Sequence, residues 1–506
     1  MKKVMLIFTL LMAVAGVRAA LPVADLIAQI HFAGAAKISA APNAAAFTNE
    51  FSSVEAMALR AQTADKLAPW LAGWLQANTG AALPDGAAKL RPLLDDLQTA
   101  EWSLEARAVA GKPSGVFAIK LESAQRHRWR VSLQSLPVEI TEVQGWLFCL
   151  FGNTAGNLGA LEPPKPSGAW LDLDVNWPRL AQWFPKLKEL GLPETQFTVT
   201  APDNNLRIDG KFFFPENLAL KLEPWRVPTN TLHQPFVSFT AVRGFSAWLK
   251  SQPWASPLQL TPVPNQFFAW ALPQVPFQSF AAVPVPDAAA ALVQSHAQLS
   301  PVFTGPNAVG KFLMPLTLKL ATNAVDLQGI PFTAPYLHAV REPAGQFLFA
   351  GGFPNSPRSK PLPPELFQRL AEKNLVYYHW EITAERLGTK LNLLPQLTQL
   401  SLMVTLHRQL DGNSAAFKWV RKIGPTLGNT TTEIIQTGPA EMAFTRRGPG
   451  LFTALEMLAL ASWLEAPDFP GCNLKLPPRR TLNFKHPHGL APGALPLPAP
   501  ASPPAH

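Results

Sequence analysis

The chain has 506 residues and a formal net charge of +9, with 47% hydrophobic and 15% charged residues. This length exceeds what one hydrophobic core normally serves, and the composition is that of a globular chain, so several modules are expected. The positive charge is spread thinly, without a Lys/Arg-rich helix or an aromatic RNA-binding signature, which excludes a nucleic-acid-binding class. The 52 prolines are about twice the usual frequency and favour short strands and turns over long helices.

Residues 1–19 have the pattern of a secretory signal peptide. Lys2 and Lys3 give the positive start, an uncharged apolar run extends from Val4 to Val17, and Ala19 completes a small-residue cleavage pattern. We predict cleavage near Ala19 and export to the periplasm or the extracellular space. The run is too short to span a bilayer, and no later apolar run is long enough, so the mature chain is expected to be soluble and without a transmembrane segment. Cleavage would remove Lys2, Lys3 and Arg18 and no acidic residue, so the formal net charge of the mature chain would fall from +9 to +6.

After the predicted signal peptide, the spacing of apolar residues is first typical of helices and then typical of strands. Residues 20–98 are rich in alanine, carry leucines at helical spacing and predict a helical N-terminal region that Pro69 interrupts. Residues 99–161 predict an antiparallel β-meander packed with that region, because apolar and polar residues alternate in three segments: Trp102–Ala108, Phe117–Leu121 and Trp129–Leu133.

A strand-to-helix junction recurs further along the chain. Asp174, Val175, Asn176, Arg179 and Leu180 match Glu381, Ile382, Thr383, Arg386 and Leu387 in order, and Thr240 and Arg243 repeat the helix cap and the arginine three residues later. These matches predict two or three related α+β modules with mainly antiparallel sheets and helices packed on one face. A chance match remains the alternative, because strands followed by capped helices are common.

Composition and turn residues divide the chain. The prediction is a signal peptide (1–19), the helical N-terminal region (20–98), the β-meander (99–161), a linker (162–168), a central α+β module (169–352), a second linker (353–364), a C-terminal α+β module (365–470) and a disordered proline-rich tail (471–506). Within the modules we predict a hairpin around Pro202–Asn205 and a last helix over Leu451–Leu464.

No familiar catalytic motif is complete in the sequence, so we predict no catalytic, cofactor-binding or metal-binding residues and no cofactor. Asp172, Asp174 and Asn176 would share one face of a strand and are the best carboxylate constellation. A calcium loop fails, because Trp177 and Trp183 stand where it needs glycine and glutamate. A carboxylate pair for glycoside hydrolysis and a simple solvated strand face remain open.

Other reactive residues leave equally open questions. Cys149 and Cys472 would be free to pair in an oxidising compartment, but their spacing gives no argument for a bond. The predicted tail carries a histidine pair and a basic cluster, for which weak metal binding, contact with an anionic envelope surface and plain solvation are the alternatives: His486, His488, Lys475, Arg479, Arg480 and Lys485.

Three functional classes therefore remain open. The leading expectation is an exported, non-enzymatic cell-envelope protein with a binding or structural role, whose partner is an envelope component. The first alternative is a carrier of a lipid or other apolar ligand, which predicts an apolar cavity larger than about 300 Å³. The second is an exported hydrolase whose site is assembled only in the fold, which predicts a cleft where acids, histidine or serine converge.

Overall fold

A computed structural model describes residues 25–471, except 45–47, 49–50, 110, 153–161, 165–167, 189–190, 204, 233–236, 252–259, 274–279, 305–315, 330–333, 353–367 and 389–412. The predicted signal peptide, the linker at 353–364 and all but the first residue of the predicted tail lie outside these residues. Within the described ranges, every helix is too short or too polar to cross a bilayer.

The strands form one sheet in which every neighbouring pair is antiparallel. Their bounds are β1 Leu26–Phe32, β2 Trp102–Val109, β3 Lys112–Lys120, β4 Glu139–Val143, β5 Trp146–Phe151, β6 Leu171–Val175, β7 Glu194–Thr200, β8 Leu206–Phe213, β9 Ser238–Arg243, β10 Gln266–Ala271, β11 Phe280–Val285, β12 Thr317–Leu320, β13 Ala324–Gln328, β14 Tyr336–Glu342, β15 Gly345–Gly351, β16 Leu375–Ile382, β17 Asn429–Gly438 and β18 Glu441–Gly448. Pairing gives the spatial order β4-β5-β3-β2-β1-β6-β7-β8-β18-β17-β16-β9-β10-β11-β15-β14-β13-β12.

The helices connect these strands at intervals. Their bounds are α1 Ala35–Ala40, α2 Val54–Thr79, α3 Gly86–Thr99, α4 Ser123–Leu133, α5 Trp177–Leu180, α6 Pro185–Lys188, α7 Ser246–Ser251, α8 Ala288–Thr304, α9 383–388, α10 Ala415–Ile423 and α11 Ala454–Leu464. The mixture of helices with an antiparallel sheet confirms the predicted α+β class, and α11 confirms the predicted last helix.

The region predicted to be helical begins instead with a strand. β1 pairs with β2 on one side and β6 on the other, which places it inside the sheet. Its residues are buried on both faces of the sheet, as in the neighbours Ile27 and Ala28. A strand buried on both faces has no alternation of apolar and polar residues, and this is why the sequence pattern missed it.

The third segment of the predicted meander is a helix. Trp129, Val131 and Leu133 belong to α4, which begins with a capping box between Glu122 and Gln125. Residues i and i+4 share a face in both a strand and a helix, so Trp129 and Leu133 fit either period. Val131 decides between them: it is 42% exposed, whereas a strand would have buried it with the other two.

The sheet is covered on both faces in its second half. α8 packs over β11 and β15 on one face, in a cluster that includes Leu292, Val285 and Leu348. Alternate residues of β11 point to the opposite face, where Ala282 joins a separate cluster with Trp225. Helices therefore do not account for all of the covering layer, since the segment around Trp225 lies outside any helix.

Both strand-to-helix junctions at residues 171–180 and 378–387 are present, but the third match is wrong. Asn176 caps α5 by accepting a hydrogen bond from the Arg179 amide at 2.9 Å, and α9 follows β16 directly. Thr240 and Arg243, matched to a cap and a helical arginine, are instead both within β9. The Arg243 guanidinium donates to backbone carbonyls, including that of Leu375 at 2.8 Å.

The residues matched between the two junctions also lie on opposite faces of the sheet. Asp172 belongs to a row of cross-strand partners: Asp172, Thr198, Asp209, Thr445, Glu433 and Tyr378. Cross-strand partners share a face, and side chains alternate along a strand. Asp174 therefore lies on the face of Tyr378, and Glu381, three residues beyond Tyr378, lies on the other.

Candidate functional site

An apolar cavity of about 610 Å³ lies between the α2–α3 helical pair and the sheet. Leucines of α2 and α3 form its roof, and β3, α4 and β5 contribute its floor and wall. The lining residues are Leu71, Trp74, Leu75, Asn78, Thr79, Leu90, Leu93, Leu94, Leu97, Phe117, Trp129, Leu133, Leu136, Pro137, Val138, Cys149, Phe151, Gly152 and Phe184. This volume exceeds the size that a ligand-carrying function would require.

Helix α2 contacts helices of the C-terminal part of the chain with its first half and lines the cavity with its second half. Its first half packs on these helices: Leu59 joins the core cluster that contains Phe417 of α10 and Met457 of α11. Lys66 donates to the Leu464 carbonyl at 2.7 Å at the end of the same helix. Beyond Pro69, which removes one backbone hydrogen bond from the helix, the second half of α2 covers the cavity.

A buried carboxylate joins α3 to α4 at the cavity wall that α4 forms. Asp96 of α3 is 4% exposed and accepts hydrogen bonds from three residues of α4: Gln125 at 2.8 Å, Arg128 at 2.8 Å and the Trp129 indole at 2.8 Å. The indole in turn stacks on Phe117 of β3, with ring centroids 5.7 Å apart. Because a buried charge needs such partners, Asp96 holds α3 and α4 in one arrangement and keeps the wall in place.

The interior of the cavity is nearly free of available polar groups. Asn78 and Thr79 both direct a side-chain hydrogen bond to their own helix, to the carbonyls of Trp74 and Leu75 at 2.7 and 2.8 Å. Burial raises the pKa of the Cys149 thiol to about 12, so it lies in the wall as a protonated, apolar group. A ligand that fits this cavity is therefore hydrocarbon rather than charged.

A second constellation lies between β9 and β16. The Thr240 hydroxyl is 2.8 Å from His379 Nδ1, and His379 Nε2 is 3.3 Å from Glu381 Oε2, so a hydroxyl, an imidazole and a carboxylate stand in line. This order of groups occurs in nucleophilic hydrolases. His379 and Glu381, however, are 6% and 0% exposed, so a substrate has no access to the imidazole or the carboxylate.

Glu381 is instead bound from several sides. Its carboxylate accepts hydrogen bonds from the Thr383 hydroxyl at 2.8 Å and from the Ala454 amide, the first of α11, at 2.7 Å, and Arg386 lies at 3.6 Å. Burial alone would raise the pKa of Glu381, but the hydrogen bond from His379, the positive charge of Arg386 and the Ala454 amide lower it to about 2. The arrangement fixes the N-terminus of α11 on the sheet.

The carboxylates singled out from the sequence do not form a site with one another. Asp172 accepts a hydrogen bond from the Thr198 hydroxyl at 2.9 Å, and Asp174 from the Gln196 amide at 3.0 Å, each on the neighbouring strand β7. Burial raises the pKa of Asp174, and the charge of Glu194 adds to the effect. The residues that the structure describes contain no group of His, Cys, Asp and Glu side chains suited to a metal ion.

The remaining predicted reactive residues are outside the described part of the chain. These are Cys472 and the histidines and basic residues of the predicted tail. A bond between Cys472 and Cys149 therefore stays a question raised by the sequence alone. An apolar cavity was the expectation of the carrier alternative, but its position was not predicted from the sequence. Leu90, Leu93, Leu94 and Leu97 show the helical spacing of a buried face, which was the available signal, but this spacing does not distinguish a closed contact from a gap.

No protein-family model, no curated protein and no solved structure matches this chain.

Proposed function

We propose that the protein is an exported, non-enzymatic protein of the cell envelope that binds an apolar ligand, such as an acyl chain, in the cavity beneath α2 and α3. The observation that carries this proposal is the size and lining of the cavity. Its leucine, phenylalanine and tryptophan walls offer dispersion contacts along the whole ligand, and its volume lies within the range of small-molecule sites.

The apolar walls of the cavity favour an apolar occupant over solvent. The cavity is open at its mouth, so without a ligand its leucine, phenylalanine and tryptophan side chains face solvent. Each CH₂ group of a ligand that is buried against these walls contributes about 0.8 kcal/mol.

Export rests on the sequence pattern of residues 1–19, and it agrees with this function. A ligand with a long apolar chain has low solubility in water, and a protein of the envelope would shield it between membranes. The hydrolase alternative has less support, because the hydroxyl–imidazole–carboxylate line is closed to substrate and Asp172 and Asp174 are bound to neighbouring strands.

The order of strand pairing supports a further proposal, that the chain contains two related modules. The set β4-β5-β3-β2-β1-β6-β7-β8 has the same pairing and the same order along the chain as β14-β15-β11-β10-β9-β16-β17-β18. A helix follows the third strand in both, α4 after β3 and α8 after β11. The two sets meet where β8 pairs with β18. On this proposal the cavity belongs to the first module and α2 connects it to the second.

The test is to identify what the mature protein carries. The protein, purified from its native envelope without detergent exchange, is extracted with organic solvent and the extract is analysed by mass spectrometry. We expect about one molecule of an apolar compound per chain. Leu93→Trp, which adds bulk inside the cavity, is expected to lower this to about a tenth. Val131→Trp is the matched control, since Val131 points outward from α4 and this variant keeps its ligand.

A direct titration completes the test. A fluorescent fatty acid added to delipidated protein is expected to bind the wild type and Val131→Trp and to bind Leu93→Trp about tenfold more weakly. Protein that carries no compound and also fails to bind the fatty acid would contradict the proposal. Equal binding by the two tryptophan variants would place the ligand elsewhere.

A further inference from the structure

A crevice of about 590 Å³, lined by polar and apolar residues in similar measure, lies where the last strands of the two halves of the sheet meet, and it shares no residue with the apolar cavity. Residues 202–203 and 205, between β7 and β8, the start of β17 and the end of β18 form its walls. Its lining residues are Pro202, Asp203, Asn205, Leu206, Arg207, Thr426, Gly428, Asn429, Thr431, Arg447, Gly448 and Pro449.

Two arginines lie side by side on the crevice wall. Arg207 of β8 and Arg447 of β18 are direct cross-strand partners, and Thr200 and Thr431 continue the same row on either side. Directly opposed residues of antiparallel strands share a face, with Cβ atoms about 5 Å apart. The two guanidinium groups therefore line the same stretch of the crevice wall.

Within the described part of the chain, only one of the two arginines is paired with an acidic residue. Arg207 forms a two-point ion pair with Asp209, at 2.5 and 2.9 Å, and Asp203 on the rim adds a second negative charge near it. Arg447 is exposed, and among the residues that the structure describes its side chain has no hydrogen bond or ion pair. The guanidinium of Arg447 is therefore available to an oxyanion, which its planar N–H groups can bind at two points.

The other groups in the crevice match a sugar rather than a bare ion. The amides of Asn205 and Asn429 and the hydroxyl of Thr431 can hydrogen-bond to sugar hydroxyls, and Pro202 and Pro449 offer apolar surface to a sugar ring. The volume is also much larger than an inorganic anion requires. We propose that this crevice binds an anionic saccharide, with the phosphate or carboxylate group of the sugar held at Arg447 and Arg207.

Calorimetric titration of the mature protein at low ionic strength tests this proposal. The probes are glucose 6-phosphate, glucuronate, glucose and inorganic phosphate. We expect one or both of the anionic sugars to bind, with glucose and inorganic phosphate each at least about tenfold weaker, because each lacks one half of the recognition. The two anionic probes tell a phosphorylated from a carboxylated saccharide.

Matched variants locate the site. Arg447→Gln is expected to weaken binding by about ten- to a hundredfold, because a hydrogen-bonded charge is lost, and Arg447→Lys by less. Arg341→Gln removes the same charge from another exposed strand residue and is expected to leave the affinity within about twofold. Asn429→Ala weakens sugar binding without a change of charge.

Three results would overturn the proposal. The first is no binding of either anionic sugar up to about 20 mM. The second is equal loss in Arg447→Gln and Arg341→Gln, since net charge alone would then explain the binding. The third is inorganic phosphate binding as tightly as glucose 6-phosphate, which would remove the role of the sugar. None of these results bears on ligand binding in the apolar cavity.

Discussion

Replacing Glu381 with glutamine tests whether the buried carboxylate between β16 and α11 is a charged centre of the second half of the fold. The folded protein lowers the pKa of this group from 4.5 to about 2. Each pKa unit corresponds to about 1.4 kcal/mol, so the ionised carboxylate contributes about 3 kcal/mol of stability. Glu381→Gln keeps the shape of the side chain and removes the charge that balances Arg386, and we expect it to lose about this amount at neutral pH.

The sign of the pH dependence follows from the direction of the shift. Because the folded pKa lies below the unfolded one, the contribution is fully present above about pH 4.5 and is lost as the pH falls towards about 2. Urea unfolding at a series of pH values in this window is therefore expected to show a stability difference between wild type and Glu381→Gln that shrinks as the pH falls. Other carboxylates titrate in both proteins, so the difference isolates Glu381.

Glu385→Gln is the matched control, because Glu385 is exposed and lies four residues beyond Glu381, in α9. It should change stability by less than about 0.5 kcal/mol at any pH. If Glu381→Gln is as stable as the wild type at neutral pH, or if its stability difference does not shrink with acid, the carboxylate is not the charged centre that its contacts indicate.

Three further outcomes test individual features of the fold. Asp96→Ala should destabilise by about 3 kcal/mol in urea unfolding, because it leaves three donors without their acceptor, whereas the exposed neighbour Asp95→Ala should cost less than about 1 kcal/mol. In a Cys472→Ser background, Cys149 should react with a thiol reagent at neutral pH only after unfolding, since its pKa is about 12; rapid reaction of the folded protein would contradict its burial. Gly210→Ala should cost about 1–3 kcal/mol, because a Cβ there would collide with the ring of a neighbouring phenylalanine, and an unchanged urea midpoint would refute that contact.

The sequence predicted those elements in which local pattern and tertiary setting agree. The hairpin of β7 and β8 was predicted because half-exposed strands alternate and Pro202–Asn205 contains turn-forming residues. β1 escaped prediction because it is buried on both faces. The sequence pattern failed at Trp129 and Leu133 because their spacing fits both a helix and a strand, and the hydrogen bond from Trp129 to Asp96, which anchors α4, joins residues 33 positions apart.

The candidate sites depend even more on contacts between distant residues. Arg207 and Arg447 became neighbours only through the pairing of β8 with β18, which no local pattern indicates. The leucines of α3 show one apolar stripe whether the helix rests directly on the sheet or is held away from it. The sequence could therefore name the apolar residues but not the cavity, because packing between elements decides whether a gap remains.

Helix α2 gives a physical reason for that gap. An apolar helix free to move would settle onto the sheet until the cavity closed, because protein interiors tolerate few voids. The first half of α2 is not free: Leu59 is packed against α11, and Lys66 is bonded to the Leu464 carbonyl. At the other wall, Asp96 fixes α3 to α4. With both ends of the roof attached to other elements, Leu71 and Leu75 cannot descend without breaking one of these attachments. The attachments of α2 and α3 to other elements therefore keep the cavity from closing.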